Sequence, residues 1–260
     1  MPNPVINRRL YSSQALITPP PVSGYAYWFM PDGMVVGATN DYGIVDSSGN
    51  ISRVKDKGGS TIYAEQLTGA NQPSLQTTTV INRSRKVIRF AGSPQTMPMS
   101  NAGAVTQNIS GLTIYQIAKV TTGGAIIFPF FFSTNAAGSS RADIRSIAAN
   151  TWQLTGRRLD ADSAYTVAGN SSTSAFKLVT GVIDYANSNG YIYENNSLIN
   201  SNTSFSTDGN TSNTASALVE MGSIGSGNFF IGDIALILVY VGVHDADQRT
   251  AIWNWVNGYF

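Results

Sequence analysis

Apolar and polar residues alternate along short segments through most of this chain. In the segment 112–120, one predicted face carries Leu112, Ile114, Gln116, Ala118 and Val120, and the intervening residues form the other face. A period of two is typical of β-strands. We predict strands in segments 34–38, 51–55, 86–91, 112–120, 125–133, 152–159, 164–168, 175–185, 191–199, 217–221 and 229–241.

Clusters of Gly, Asn, Asp and Ser separate the predicted strands, as in "DSSGN", "TTGG", "TNAAGSS" and "ANSNG". Many short strands with frequent turn signals favour an antiparallel sandwich or barrel. The segment 182–199 predicts a hairpin whose turn lies near Asn189 and Gly190. The sequence therefore predicts an all-β domain.

The last residues depart from this pattern and predict one short helix. Asp245 is a suitable N-cap and Gln248 occupies the position of a capping-box partner. Gly258 is expected to end the helix. The residues at helical spacing on one face are Arg249, Ile252, Trp253 and Val256. A lone amphipathic helix is expected to pack its apolar stripe on the sandwich.

The first residues, 1–27, predict an extended Pro-rich arm, and residues 28–260 the sandwich. Proline fixes the backbone and removes a hydrogen-bond donor, which favours polyproline II over strand or helix. The alternative is a disordered tail. If the arm is ordered, it packs on its own domain or on a neighbour. The residues that we expect to anchor it are Leu10, Tyr11, Leu16, Ile17, Pro19, Pro20 and Pro21.

Composition narrows the function classes. The 260 residues are 42% hydrophobic but only 12% charged, with a net charge of +1, which gives no electrostatic sign of nucleic-acid or anionic-membrane binding. The absence of cysteine excludes disulfides and thiolate metal sites. We expect neither a signal peptide nor a membrane helix, because no apolar run is long enough. One basic segment, "NRSRKVIRF", could bind acidic sugars or phosphates, but a solvated strand face or a contact between subunits is favoured, because the rest of the chain is not basic.

The C-terminal pattern resembles the last strand and helix of concanavalin A-like lectin/glucanase domains, particularly the LamG-like jelly-roll group of bacterial and phage proteins. It consists of Gly232 and Asp233, the apolar "LILVY", and the capped helix. Upstream, "DSSGN", "ANQPSLQTT" and "VIRFAG" resemble family segments in the expected order. This resemblance spans residues 28–260. It implies a two-sheet antiparallel jelly-roll sandwich with a short C-terminal helix, preceded here by the extended arm.

The glutamates and the single histidine do not match the catalytic pattern of the resembled family. If this chain resembled the glucanases on this fold, one strand would carry the pattern Glu-x-Asp-x-x-Glu. A retaining mechanism needs two nearby carboxylates. Glu65, Glu194 and Glu220 are far apart in the sequence and none lies in that motif. The lone His244 precedes the helix cap, and no third group is indicated that would orient it as a base. We therefore expect a non-enzymatic protein.

We predict no metal site and no cofactor. The group His244, Asp245 and Asp247 lies at a helix N-terminus, where aspartate is favoured for capping. Asp160 and Asp162 favour a turn between strands. Calcium binding remains an alternative only because some members of the resembled family bind calcium.

A sugar site usually needs an exposed aromatic ring flanked by hydrogen-bonding groups. The candidates near predicted loops or hairpin ends are Trp152, Tyr185, Asn187, Asn189 and Tyr191. The alternative for each ring is packing in the core or at an interface.

Together, these features lead us to expect a phage virion structural protein, as capsid decoration, tail fibre or adhesin. The arm would anchor it to other virion proteins, with self-association, and the lectin-like sandwich would face cell-surface glycans for host attachment. We expect assembly in the host cytoplasm and localisation in the virion, with no nucleic-acid partner and no membrane insertion. The alternative is a carbohydrate-active enzyme or a free carbohydrate-binding module on the same fold.

Overall fold

The computed structural model describes residues 17–121, 126–134, 140–224 and 227–260. These ranges contain 18 strands, two short 3-10 helices (Gly69–Asn71 and Gly103–Thr106) and the helix α1 (Ala246–Tyr259). The strands of the first half are β1 (Tyr25–Phe29), β2 (Ala38–Asn40), β3 (Gly43–Val45), β4 (Ile51–Lys55), β5 (Tyr63–Glu65), β6 (Ser74–Val80), β7 (Arg83–Ala91), β8 (Met97–Pro98) and β9 (Gly111–Val120). The remaining strands are β10 (Ile127–Ser133), β11 (Ser140–Ala148), β12 (Thr151–Gly156), β13 (Tyr165–Asn170), β14 (Lys177–Asp184), β15 (Asn189–Glu194), β16 (Ser197–Asn202), β17 (Leu218–Met221) and β18 (Ile231–Val241).

The described strands form three antiparallel sheets. The eight-stranded sheet has the order β16-β15-β14-β9-β18-β7-β6, and β1 pairs with the second half of β18. The six-stranded sheet has the order β13-β12-β11-β10-β17-β8, and the small sheet the order β2-β3-β4-β5. The predicted all-β sandwich with a short C-terminal helix is confirmed.

The main core lies between the two large sheets. Leu112, Ile114, Ala118 and Val120 of β9 point into it, as the alternating pattern predicts. Ile144 and Leu154 meet them from the six-stranded sheet. Because residues of a strand alternate between faces, the residues between these core positions lie on the outer faces of the sheets.

Helix α1 covers the outer face of the eight-stranded sheet. Its Ile252 and Val256 are buried in a second apolar cluster with Tyr115, Leu236 and further residues of that face. The capping box is confirmed: the Asp245 side chain accepts from the Gln248 backbone N–H, and the Gln248 side chain from the Asp245 N–H. The expected end at Gly258 is wrong, because the helix continues to Tyr259. No helix in the described ranges is long and apolar enough to cross a membrane.

The described part of the predicted arm packs on its own domain. The Trp255 indole N–H donates to the Thr18 carbonyl (3.0 Å) and the Tyr240 hydroxyl to the Val22 carbonyl (2.7 Å). Among the predicted anchors, Pro20 is buried, Ile17 is half-buried, and Pro19 and Pro21 are exposed; Leu10, Tyr11 and Leu16 lie outside the described residues. The last residues of the predicted arm, from Tyr25, belong to β1 and pair with β18.

Local turn geometry corrects several predicted strands. Residues 34–37 lie in a turn region, and a strand starts only at Ala38. The segment 191–199 is not one strand, because Asn195 and Asn196 have φ of 47° and 68° and form the turn between β15 and β16. Asn189 and Gly190 lie inside β15, and the turn that precedes them spans residues 185–188. Asparagine tolerates the left-handed region unusually well, which suits it to such turns.

Candidate functional site

The outer face of the six-stranded sheet carries a row of four buried residues, three of which are polar. Cross-strand pairing places Glu220 (β17), Phe131 (β10), Asp143 (β11) and Thr155 (β12) side by side. Directly opposed residues of antiparallel strands share a face. All four are at most 5% exposed. We call these four residues the cross-sheet row.

Asp143 and Arg145 form a two-pronged ion pair in this region. Arg145 Nε donates to Asp143 Oδ1 (2.7 Å) and Nη2 to Oδ2 (2.6 Å), while Nη2 also donates to Ser140 Oγ (2.8 Å). The guanidinium carbon lies 4.6 Å from the centre of the Phe128 ring. Asp143 is fully buried and the Arg145 side chain is 14% exposed. Two parallel hydrogen bonds and a ring contact hold the guanidinium in one orientation.

Some hydrogen-bonding capacity near this pair is unused. Within the described ranges, Arg145 Nη1 makes no hydrogen bond, although a guanidinium has five N–H donors. Thr155 Oγ1 is buried and also lacks a partner there. A buried polar atom without a partner costs roughly 1–3 kcal/mol. Within the described ranges, this face therefore holds both a buried hydroxyl without a partner and a guanidinium fixed in one orientation.

At the β17 end of the row, Ser223 Oγ donates to Glu220 Oε2 (3.0 Å). The same hydroxyl lies 2.9 Å from Thr96 Oγ1. The outer face thus combines carboxylate acceptors, guanidinium donors and hydroxyls that can do both. Such a mixture is suited to hydrogen bonding with a polyhydroxylated ligand.

The structure does not bring the predicted sugar-binding residues together. Trp152 and Tyr185 are each 1% exposed and lie in the main core, which corresponds to the packing alternative and leaves no ring face for a ligand. The Asn187 side-chain amide bonds Asp184 Oδ2 (2.8 Å) in an exposed turn. Asn189 and Tyr191 are half-buried in β15 of the other large sheet.

The sequence prediction missed Asp143 and Arg145. A signal was present: in "SRADIRSIA" three charged residues alternate with apolar or small ones, in a chain that is only 12% charged. Charges at alternate positions, with Ala142 and Ile144 between them, indicate a strand with one apolar and one charged face. A charged face in the middle of a sheet is unusual enough to indicate a site.

The other candidate acids have separate local partners. Glu65 pairs with Arg53 and Glu194 with Lys177, so the structure does not bring these glutamates together with Glu220. Asp160 pairs with Arg141, while Asp162 accepts from the Leu159 N–H (3.0 Å) in the predicted turn. No cluster of three or more His, Asp or Glu side chains that could hold a metal ion occurs in the residues that the structure describes.

His244 lies buried between β18 and α1, as its position ahead of the helix cap indicates. Its Nδ1 is 2.8 Å from the Tyr115 hydroxyl, and its ring centre is 4.1 Å from that of Tyr240. Its backbone N–H donates to Thr113 Oγ1 (3.1 Å), and Arg249 Nη1 donates to its carbonyl (2.8 Å). These contacts connect the helix start to the sheet.

The His244 imidazole is held in its neutral form. Burial lowers its pKa to about 4, because an imidazolium would lose its hydration. Nearby Asp245 opposes this shift and Arg249 reinforces it. The side chain is therefore uncharged at neutral pH.

In the basic segment, Arg89 pairs with Asp233, and its side chain stays 45% exposed. Arg89 Nε and Nη2 donate to the two carboxylate oxygens at 2.7 and 2.9 Å. The hydrogen bonds to Asp233 raise the pKa of Arg89. This pair on the eight-stranded sheet has the same two-pronged geometry as Asp143 and Arg145.

No protein-family model matches the sequence, and no curated protein sequence matches it. Solved structures do. The CBM40 module of Ruminococcus gnavus IT-sialidase, bound to alpha2,3 sialyllactose, superposes with a TM-score of 0.52 at 18% identity, covering 64% of this chain and 95% of that one.

Two toxin domains are also similar. The binding domain of Paraclostridial Mosquitocidal Protein 1 gives a TM-score of 0.56 at 11% identity, covering 89% of this chain and 52% of that one. The binding domain of botulinum neurotoxin serotype G gives 0.50 at 14% identity, covering 75% and 48%. At these identities the similarity establishes a shared β-sandwich fold.

Proposed function

We propose that this chain is a non-enzymatic glycan-binding protein whose ligand contacts the outer face of the six-stranded sheet. The observation that carries the proposal is the Asp143–Arg145 pair, buried on that face with Arg145 Nη1 uncommitted among the described residues. The opposite face of the same sheet already supplies the core.

The energetics favour a ligand role for this pair. Burying two charges costs several kcal/mol per ion, and apolar residues of similar volume often serve stability equally well. Thr155 adds a buried hydroxyl without a partner in the described ranges. Groups that are costly in the free protein are compensated when a ligand hydrogen-bonds to them.

Sugar hydroxyls suit these groups because each can donate to a carboxylate and accept from a guanidinium. The fold similarity to the sialidase module bound to sialyllactose and to two toxin binding domains supports the same class of ligand. The glutamates support binding without turnover. Each glutamate that the structure describes has its own local partner, so no two of them form a pair of catalytic carboxylates.

The test is a glycan array followed by calorimetric titration of the best ligand against the Arg145→Lys variant. Lysine keeps the charge but loses the planar fork, so we expect affinity to fall about tenfold or more. Arg89→Lys is the matched control, because it changes the same type of ion pair on the eight-stranded sheet. The Arg89→Lys variant should bind the ligand with the affinity of the parent chain.

Three outcomes would contradict the proposal. No binding on the array supports a structural role, and product formation supports the enzyme alternative. Equal losses in both arginine variants would place the site away from the cross-sheet row.

The wider role that we propose is that of a virion component, as capsid decoration, fibre or tail adhesin. It rests on the LamG-like sequence pattern and on the Pro-rich N-terminal segment. Because residues 17–24 pack on the domain, a chain beginning at Ile17 should keep the thermal unfolding of the full chain. We expect that truncation to fail to incorporate into particles in a complementation assay, and normal incorporation would overturn this role.

A further inference from the structure

A cavity of about 200 Å³ lies beside the C-terminal end of α1, on the helix side of the eight-stranded sheet. Its polar lining comes from Asp32 in the β1–β2 connection, Arg85 and Lys86 of β7, and the two tyrosines Tyr42 and Tyr259. These residues belong to four different parts of the chain, which makes the cavity a product of the tertiary fold. It shares no residue with the cross-sheet row.

Cationic donors exceed acceptors in this cavity. Among the described lining residues, Asp32 is the one carboxylate, and its oxygens already accept from the Lys86 backbone N–H (2.8 Å) and the Tyr259 hydroxyl (2.7 Å). Arg85 Nε lies 3.4 Å from Asp32 Oδ2 and donates to the Tyr259 carbonyl (3.0 Å), to which Nη2 also donates. Arg85 Nη1 lies 3.5 Å from the Ser84 carbonyl, and Lys86 Nζ donates to the Met34 carbonyl. A lysine has three donors and an arginine five, so N–H groups of both remain for a ligand.

The described lining residues thus carry two cations, Arg85 and Lys86, against the one anion Asp32. A surplus of positive charge in a partly enclosed space favours a negatively charged ligand. The guanidinium and ammonium groups are the side chains best suited to carboxylate and phosphate oxygens.

An aromatic wall continues past the charged groups. Tyr259 has the Arg85 guanidinium 4.3 Å from its ring centre and stacks on Trp255, with ring centres 6.2 Å apart and an interplanar angle of 24°. A second cavity of about 270 Å³ lies along this wall, lined by Thr18, Trp255 and Tyr259 among others. Aromatic rings beside polar groups suit a ligand with a ring of its own.

We propose that this cavity is a second ligand site, which binds a single pyranose ring carrying a carboxylate or a phosphate. The anion contacts Arg85 and Lys86, and the ring lies against Tyr259. The volume limits the ligand to about one ring, since pockets for drug-sized molecules measure roughly 300–1,000 Å³. The site does not depend on the proposed glycan contact at the cross-sheet row.

The test is calorimetric titration of the full chain with glucuronate, glucose 6-phosphate, glucose and inorganic phosphate. Glucuronate or glucose 6-phosphate should bind, more weakly at high salt, and which of them binds identifies the anion. Glucose and inorganic phosphate should each bind about tenfold more weakly or not at all. Glucose lacks the anionic group, and inorganic phosphate lacks the sugar ring.

Lys86→Gln should lower the affinity for the charged sugar about tenfold, since glutamine keeps a donor for the Met34 carbonyl but loses the charge. Lys177→Gln removes the same charge from the pair with Glu194, outside both proposed sites, and this variant should bind as the parent does. Absence of binding by both charged sugars, equal binding of glucose or phosphate, or unchanged affinity in Lys86→Gln would overturn the proposal. The ligand comparison uses the parent chain and therefore stands even if a variant misfolds.

Discussion

The Asp143→Ala variant is expected to lose about 3 to 5 kcal/mol of unfolding free energy. The substitution removes the only carboxylate bonded to Arg145 in the described structure and leaves a guanidinium that is 14% exposed. A charge held away from water without its partner is strongly destabilising. Urea unfolding at neutral pH measures the loss as a lower midpoint with an unchanged slope.

Two further variants separate the lost ion pair from a general packing defect. Asp143→Ala with Arg145→Met removes the unpaired charge and should recover part of the stability. Asp233→Ala breaks the other two-pronged pair, but Arg89 is 45% exposed and can be hydrated, so its loss should be smaller. Equal losses in the two aspartate variants, or no recovery in the double variant, would show that charge burial is not the cause.

Local sequence pattern predicts those parts of the fold that depend on near neighbours. The two faces of β9 follow directly from alternation, and the helix start follows from the Asp245 and Gln248 pair. Both features depend on residues within a few positions of one another. The sandwich itself is predicted because many such segments recur.

The cross-sheet row could not be predicted in this way. Glu220 and Asp143 each lie opposite Phe131, but they are far apart in the sequence, and only the strand order brings them together. The charges of β11 could have been recognised locally, but their neighbours could not.

For Trp152, the structure corresponds to the packing alternative. Trp152 follows Asn150 and a predicted turn, which suggested an exposed ring, yet it lies opposite Ser146 and points into the core. Strand register, rather than the nature of flanking residues, decides which face a side chain occupies, since a shift of one residue moves it to the other face. Aromatic content near loops is thus a weak guide to sugar sites in this fold.

The two large sheets use their outer faces differently. The eight-stranded sheet buries apolar residues under α1. The six-stranded sheet keeps buried charges and an orphan hydroxyl on its outer face. Because α1 packs on the first face, whereas the second holds a buried ion pair, we look for function on the six-stranded sheet and at the edges of α1.

His244 gives the clearest expected pH dependence. In the unfolded chain its pKa is about 6.5, and in the fold burial lowers the pKa to about 4. Between these values the unfolded state binds a proton that the folded state does not, so unfolding free energy falls as the pH is lowered through this window. The stability that the neutral imidazole contributes is fully present above pH 6.5, and its loss is complete below about pH 4.

Comparison with His244→Gln isolates this effect from the other titrating groups. Glutamine can still hydrogen-bond the Tyr115 hydroxyl but does not ionise, and the charged neighbours Asp245 and Arg249 are the same in both chains. The difference in unfolding free energy between parent and variant should therefore shrink steadily from neutral pH to about pH 4. Parallel stability curves would mean that the imidazole takes up its proton without leaving its place between β18 and α1. In that case the imidazolium form of His244 would be stable beside Tyr115, although burial is expected to disfavour that charged form.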